Sequence, residues 1–277
     1  MEISSYVQDY LNRGILIAAH RGVAGGDIPF NTLAAFEVAL QQGADIIETD
    51  VVQSADKKMF IFHPNQEKNH LNQDIKLTKM TAEEISKIRY VNFDKNITEY
   101  PIPNLDEALE YLKGRCLINL DHGWRGWFKD MIDVVRRHDM VDQVIIKTPP
   151  NLEYLKMVEE LAPDFMYMPV ISETDTCSEI IEKMDINYVG AELVFSTEQA
   201  EIVQPEYIEK QKKKGRFLWV NAIIFSYKTQ LSAGHTDSLA VTGNPEEGWG
   251  WLIDRKFDII QTDWPMMLKE FIRNRNK

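Results

Sequence analysis

The stretch IIETDVVQSADKKMFIFH, residues 46–63, places two acids and a histidine within apolar runs. Its first half has the composition of a buried strand, yet it contains Glu48 and Asp50. Its second half is another apolar run, which ends at His63. Because side chains alternate along a strand, Glu48 and Asp50 share one face, with Cα atoms roughly 6–7 Å apart. The segment therefore predicts two strands that deliver carboxylates and an imidazole to one place.

A short apolar run followed by a helical segment recurs along the whole chain. Residues 15–20 precede a helical pattern at 31–43, in which Asn31 is the expected N-cap and Gly43 the residue just past the end. With residues 44–51 and 58–63 counted as one unit, eight strand–helix units predict a closed (β/α)₈ TIM barrel. A doubly wound open sheet is the alternative, but the first turn lacks the GxGxxG pattern. The remaining predicted strands are 116–121, 143–147, 165–170, 187–193, 216–221 and 257–263.

The domain prediction is a single barrel over residues 1–277 that contains a small insertion. Residues 64–104 are polar and irregular, with one short helix beginning near Thr81, and are expected to lie like a lid without a core of their own. The composition, with 44% hydrophobic residues, is sufficient for a substantial buried core.

Charge and hydropathy restrict the partners that the chain can take. The formal net charge of −12 argues against nucleic acid or an anionic membrane surface as a partner. No apolar run approaches the roughly 20 residues of a membrane span, and the N-terminus does not resemble a signal peptide. A cytoplasmic protein without stable membrane insertion is expected, and its oligomeric state is not predicted.

Polar side chains accumulate where the predicted strands end. In barrel enzymes the chemistry takes place at the C-terminal ends of the strands, so this placement indicates an enzyme. The residues at these positions are His20, Arg21, Glu48, Asp50, His63, Asp121, Lys147, Glu192, Asn221 and Asp263.

The acids at these strand ends suggest a cation site. Like charges at Glu48 and Asp50 repel, so one acid stays protonated, a basic side chain pairs with them, or a cation lies between them. Asp121 can add a third carboxylate, and an all-oxygen site suits one divalent cation, Mg²⁺ or Ca²⁺. The alternative is a core ion pair with Arg21 or Lys147.

Two histidines and two basic residues complete the predicted chemistry. His20 and His63 can divide general acid and general base work at neutral pH. Arg21 and Lys147 are suited to phosphate, which points to phosphoryl chemistry. His122 is expected on the strand face opposite Asp121.

These motifs resemble the signature of the glycerophosphodiester phosphodiesterases. The resemblance rests on AAHRG, NTLAAFEVALQQGADIIETDV and MFIFH, followed by IPNLDEALEYL, INLD and FDIIQTDWP, and it runs nearly end to end. It implies a TIM barrel with a small insertion after the second strand and a divalent metal, usually Mg²⁺ or Ca²⁺. It also implies that a small-molecule phosphodiester is cleaved to glycerol 3-phosphate and an alcohol.

Carried over by position, the resemblance gives roles to individual residues. His20 and His63 match the acid/base histidines, and Arg21 matches the arginine beside the first of them. Glu48 and Asp50 match metal ligands, and Asp121 stands where the family usually has a metal-binding Glu.

The chain departs from the family pattern around the expected glycerol pocket. Phe30 replaces an acid, and Gly123 occupies a position that usually holds Lys. Glu192, Trp219 and Asn221 are the expected substrate-pocket residues. The alternatives are a phospholipase-type relative that acts on lysophospholipids or another headgroup, and a barrel that binds a phosphorylated ligand without turnover.

Overall fold

The computed structural model describes residues 14–275, which form strands alternating with helices. The strands are β1 Leu16–His20, β2 Ile46–Gln53, β3 Met59–Ile61, β4 Arg89–Val91, β5 Ile97–Pro101, β6 Leu117–Asp121, β7 Val144–Thr148, β8 Met166–Ser172, β9 Gly190–Val194, β10 Phe217–Asn221 and β11 Ile259–Thr262.

The helices lie mainly between successive barrel strands. They are α1 Leu33–Gln41, α2 Glu67–Leu71, α3 Ala82–Ser86, α4 Leu105–Leu112, α5 Phe128–Arg137, α6 Leu152–Leu161, α7 Ser178–Ile181, α8 Pro205–Lys213, α9 Asp237–Thr242, α10 Trp251–Asp254 and α11 Pro265–Arg275. Short 3₁₀ segments occur at Leu77–Lys79, Val141–Gln143 and Glu201–Val203, and a π-helix at Glu246–Gly250.

Eight parallel strands close into a barrel. They pair in the order β1, β2, β6, β7, β8, β9, β10 and β11, and β11 pairs back with β1. The predicted (β/α)₈ TIM barrel is confirmed, and the open-sheet alternative is wrong. β3 pairs antiparallel with the end of β2, so the two halves of the stretch at 46–63 do form one unit.

The barrel interior changes from apolar to polar along the strand direction. Its N-terminal half is filled by a cluster that includes Leu16, Ile46, Leu117 and Trp219. Because inward positions recur every two residues, the next inward positions lie nearer the C-terminal mouth. These hold polar side chains, namely His20, Glu48, Asp50, Asn119, Asp121, Lys147, Glu192, Asn221 and Gln261.

The segment between β3 and α4 contains more regular structure than the sequence indicated. β4 and β5 form an antiparallel pair, and the predicted helix at Thr81 is present as α3, with a capping box to Glu84. An apolar cluster that includes Leu77, Ile85 and Tyr90 packs this segment against Phe60 of β3. Within residues 14–275, no helix is long and apolar enough to cross a membrane.

Candidate active site

Strand register explains why the predicted acids meet at the barrel mouth. In the β2–β6 pair, Glu48 lies opposite Asn119 and Asp50 lies opposite Asp121. In the β1–β2 pair, His20 lies opposite Glu48. These side chains line a pocket of about 230 Å³ at the C-terminal end of the barrel, where barrel enzymes hold their substrates.

The three carboxylates are close enough to share one cation. One oxygen each from Glu48, Asp50 and Asp121 lies within 4.8 Å of the others. Glu48 and Asp50 are only 3% and 1% exposed, so water screens their repulsion poorly. Asn119 lines the same pocket, and its buried Oδ1 has no hydrogen-bond partner among the described residues. This oxygen-rich set fits a hard divalent cation such as Mg²⁺ or Ca²⁺.

The neighbouring groups shift the pKa values of the two buried acids in opposite directions. Burial and the adjacent Asp50 charge raise the pKa of Glu48 well above its usual value. Burial acts the same way on Asp50, but Arg21 and His122 outweigh it and hold the pKa of Asp50 below its usual range. Arg21 Nε is 2.9 Å and His122 Nδ1 is 3.0 Å from the Asp50 carboxylate. Asp50 is therefore the acid that stays ionised.

Asn31 is a site residue that sequence reasoning missed. It was expected to cap α1, but Thr32 does so by accepting from the Ala35 N–H at 3.1 Å. Asn31 has a left-handed φ of 58° and its Nδ2 donates to Asp50 Oδ2 at 2.9 Å. Its Oδ1 accepts from the Thr49 hydroxyl at 2.8 Å, which fixes the orientation of the amide.

The prediction that His122 faces away from Asp121 is wrong. His122 has a φ of 63°, and this left-handed turn breaks the strand alternation and returns the ring to the acids. Its Nδ1 lies 3.3 Å from Asp121 Oδ2. Burial lowers the pKa of His122, but Asp50 and Asp121 outweigh burial and raise it. The ring therefore brings positive charge to the acid cluster.

Gly123, beside His122, stands where the family usually has Lys. A Cβ atom at Gly123 would lie 2.3 Å from the Met131 sulfur on α5. Met131 therefore fills the space that a side chain at Gly123 would need. The cationic group near Asp50 comes from the preceding residue, His122.

The two predicted catalytic histidines are held by different partners. His20 Nδ1 lies 2.9 Å from Asp263 Oδ1, so a carboxylate orients this ring. His63 Nδ1 lies 2.9 Å from the Pro64 carbonyl oxygen, so Nδ1 carries a proton and Nε2 is the free acceptor. Burial lowers the pKa of His63, which favours the neutral ring. A ring nitrogen of His63 lies within 4.8 Å of an Asp50 oxygen.

Lys147 and the predicted substrate-pocket residues form one connected group. Lys147 is 3% exposed, and its Nζ donates to Glu192 at 2.7 Å. The same Nζ lies 3.1 Å from the centre of the Trp219 ring. Asn221 donates to Glu192 at 2.7 Å. Lys147, Glu192 and Asn221 therefore line the pocket together, over the indole of Trp219.

Trp219 itself is fully buried, so it supports the pocket from below. Its indole N–H donates to Gln261 Oε1 at 3.0 Å, and the Gln261 amide lies 3.4 Å from Glu48. Gln261 was not predicted as a site residue. Its inward-facing position on the last strand would have indicated it.

Comparison with known proteins finds similarity between this chain and several phosphodiesterases. The model of a domain of unknown function, DUF4996, matches residues 167–272. The uncharacterized protein YqiK of Bacillus subtilis is 31% identical over 160 residues, which cover 53% of this chain and 63% of that protein. A glycerophosphodiester phosphodiesterase of Caldanaerobacter subterraneus is 29% identical over 155 residues, with the same coverage of 53% and 63%. The match thus spans less than two thirds of these curated relatives.

Solved structures extend the likeness over nearly the whole chain. A glycerophosphoryl diester phosphodiesterase from Parabacteroides distasonis is 22% identical with a TM-score of 0.77, covering 99% of this chain and 94% of that one. An Oleispira antarctica phosphodiesterase, solved in complex with the product sn-glycerol-3-phosphate, is 20% identical with a TM-score of 0.69, covering 95% and 99%. The motif resemblance is thus matched by sequence similarity to glycerophosphodiester phosphodiesterases over about half of the chain, and the chain has the barrel fold of the solved ones.

Proposed function

We propose that this chain hydrolyses glycerophosphodiesters to glycerol 3-phosphate and an alcohol with the help of one divalent cation. The observation that carries the proposal is the meeting of three carboxylates with His20 and His63 at the barrel mouth. The product bound to the Oleispira antarctica protein supports the substrate class.

Glu48, Asp50 and Asp121 would hold the cation, Mg²⁺ or Ca²⁺. A cation bound there supplies positive charge against a phosphate oxygen and favours loss of a proton from the attacking hydroxyl. Asn31 and Arg21 keep Asp50 ionised and in place for this role.

The two histidines are suited to opposite proton-transfer roles. His63 has its Nδ1 committed to the Pro64 carbonyl and a lowered pKa, so its Nε2 is proposed as the general base. His20 is braced by Asp263 through Nδ1, so its Nε2 is proposed to give a proton to the leaving oxygen. Arg21 and Lys147 line the pocket and would offset the phosphate charge.

The test is hydrolysis of glycerophosphocholine followed by ³¹P NMR, with Mg²⁺, with Ca²⁺ and with chelator. We expect a glycerol 3-phosphate signal that requires a divalent cation and is reduced at least about 100-fold by His20→Asn or His63→Asn. His138→Asn is the matched control, since His138 pairs with Asp106 on the outside of the barrel. If tight ligand binding accompanies a lack of cleavage of every diester tried, the chain is a phosphate-ligand-binding barrel and the proposal is wrong.

A further inference from the structure

A second group of candidate metal ligands lies at the barrel mouth, and it contains nitrogen as well as oxygen. One oxygen of Asp50 and one ring nitrogen each of His63 and His122 lie within 4.8 Å of one another; we call these three residues the imidazole set. Two ligands of a tetrahedral Zn²⁺ are about 3.4 Å apart when each is about 2.0–2.1 Å from the ion, so side-chain rotation is enough to bring the three donors to one ion. Imidazole nitrogen suits Zn²⁺ and similar transition metals, whereas Mg²⁺ and Ca²⁺ prefer oxygen. The imidazole set therefore differs in metal preference from the three carboxylates.

His63 is held in the way that metal-binding histidines usually are. Its Nδ1 donates to the Pro64 carbonyl oxygen at 2.9 Å. Histidines that bind metals commonly donate their other ring N–H to a backbone carbonyl or a carboxylate, which fixes both the tautomer and the orientation of the ring. The lone pair of His63 Nε2 is therefore available to a cation.

His122 supplies a buried ring nitrogen beside His63. The left-handed φ of 63° turns this ring towards the acids, and the centres of the two imidazole rings are 4.6 Å apart. His122 Nδ1 is 3.0 Å from Asp50 Oδ1, but it is buried and is not in line for a hydrogen bond with any residue of the range 14–275. Asp121 Oδ2 lies 3.3 Å from the same nitrogen and adds negative charge. An imidazole placed here can pair with the acids as a cation or, after losing its proton, bind a metal through this nitrogen.

One oxygen of Asp50 completes the imidazole set. Arg21 Nε and Asn31 Nδ2 each lie 2.9 Å from Oδ2, so Oδ1 is the oxygen left for a cation. Oδ1 is also the oxygen that lies beside His122. A metal ion on the imidazole set would therefore take the Asp50 oxygen that the proposed Mg²⁺ or Ca²⁺ needs, together with the His63 nitrogen that is proposed as the general base.

We propose that the imidazole set binds one Zn²⁺ or similar transition-metal ion, and that this ion inhibits hydrolysis. The site stands on the geometry of the three residues, whereas its inhibitory effect rests on the proposed phosphodiesterase function. The bound ion occupies the lone pair of His63 Nε2, so this ring no longer accepts a proton from the attacking hydroxyl. It also displaces Mg²⁺ or Ca²⁺ from Asp50.

Co²⁺ tests the site without any need for activity, because it replaces Zn²⁺ and absorbs visible light strongly when a few nitrogen and oxygen ligands hold it. In the metal-free protein, Co²⁺ should give a visible band that saturates at one ion per chain and disappears on adding Zn²⁺. His63→Asn and His122→Asn should each weaken Co²⁺ binding by at least about 10- to 100-fold. Asparagine is among the residues that adopt the left-handed backbone of position 122.

Two control variants separate the imidazole set from other cation sites. Glu48→Gln changes the carboxylate group alone, and His138→Asn removes an imidazole outside the barrel, so both should keep the band. If either His63→Asn or His122→Asn keeps the band, or if Glu48→Gln loses it, the carboxylates hold the ion and the proposal is overturned. Thermal unfolding without metal checks that each variant is folded, and the two histidine variants test the same site independently.

Inhibition of glycerophosphocholine hydrolysis tests the consequence of zinc binding. Relative to its own activity without Zn²⁺, His122→Asn should need at least about 10- to 100-fold more Zn²⁺ for half inhibition than the parent, and His138→Asn should respond like the parent. Equal inhibition of the parent and His122→Asn overturns the proposal, as does Zn²⁺ that fills the site and leaves hydrolysis unchanged. If no diester is cleaved even without Zn²⁺, the phosphodiesterase function and its inhibition both fail, while the Co²⁺ spectra still decide whether the metal site exists.

Discussion

Replacing Asn31 with Gly should destabilise the protein by removing the two hydrogen bonds that hold Asp50 in place. The side chain is buried, donates to the Asp50 carboxylate at 2.9 Å and accepts from Thr49 at 2.8 Å. Glycine keeps the left-handed backbone at φ 58° without strain, so the substitution isolates the contribution of the amide.

The expected loss follows from the nature of the two bonds. A hydrogen bond to a charged group contributes about 1.5–3 kcal/mol, and a neutral one about 0.5–1.5 kcal/mol. The greater freedom of glycine in the unfolded chain adds to this loss, whereas relief of backbone strain at a non-glycine residue offsets it. We therefore expect the free energy of unfolding to fall by about 2–4 kcal/mol.

Urea unfolding in the presence of chelator measures this loss, with circular dichroism and tryptophan fluorescence recorded together. Asn72→Gly is the matched control, because Asn72 is exposed and has a similar φ of 54° at the end of α2. It should change the free energy by less than about 0.5 kcal/mol. If Asn31→Gly behaves like this control, the amide does not stabilise the buried carboxylate and the reasoning fails.

Three further predictions concern the acids and one histidine. Asp263→Asn should lower kcat by about 10²- to 10⁴-fold through loss of His20 orientation, while calorimetry shows unchanged cation affinity. Glu48→Gln should leave the metal-free protein at least as thermostable as the parent, since burial raises the pKa of Glu48, and should abolish the rise in Tm on adding Mg²⁺ or Ca²⁺. Burial lowers the pKa of His70 to about 4, below its unfolded value, so stability present above about pH 6.5 is lost as the pH falls towards 4. Urea unfolding of His70→Phe should show a smaller loss over this pH range; an equal loss would exclude His70 as its source.

The barrel could be predicted because strands alternate with helices along the chain. Its acid cluster could be predicted because side chains alternate between the two faces of a strand. Glu48 and Asp50 interrupt an apolar strand at positions two apart, and parallel pairing places Asp121 beside them at the same level. His20 ends the neighbouring strand, which pairs in register with Glu48. The alternation of side chains, combined with the assumption that the strands pair in parallel, was sufficient to place these residues.

Residues in left-handed turns could not be predicted in this way. His122 and Asn31 reach Asp50 because a positive φ ends the alternation that was used to place them. An apolar pocket lined by Phe30, Phe93 and Trp264 was missed for a different reason, because these residues come from segments far apart in sequence and meet only in the folded chain.

The packing of Met131 against Gly123 limits which side chains these two positions can hold together. Met131 is 1% exposed in the main core, so a lysine introduced at Gly123 would displace a packed side chain at a cost of about 1–3 kcal/mol. A smaller residue at position 131 would make room for such a side chain. In this chain the positive charge is supplied instead by position 122, where a histidine makes that charge depend on pH in a way that a lysine would not.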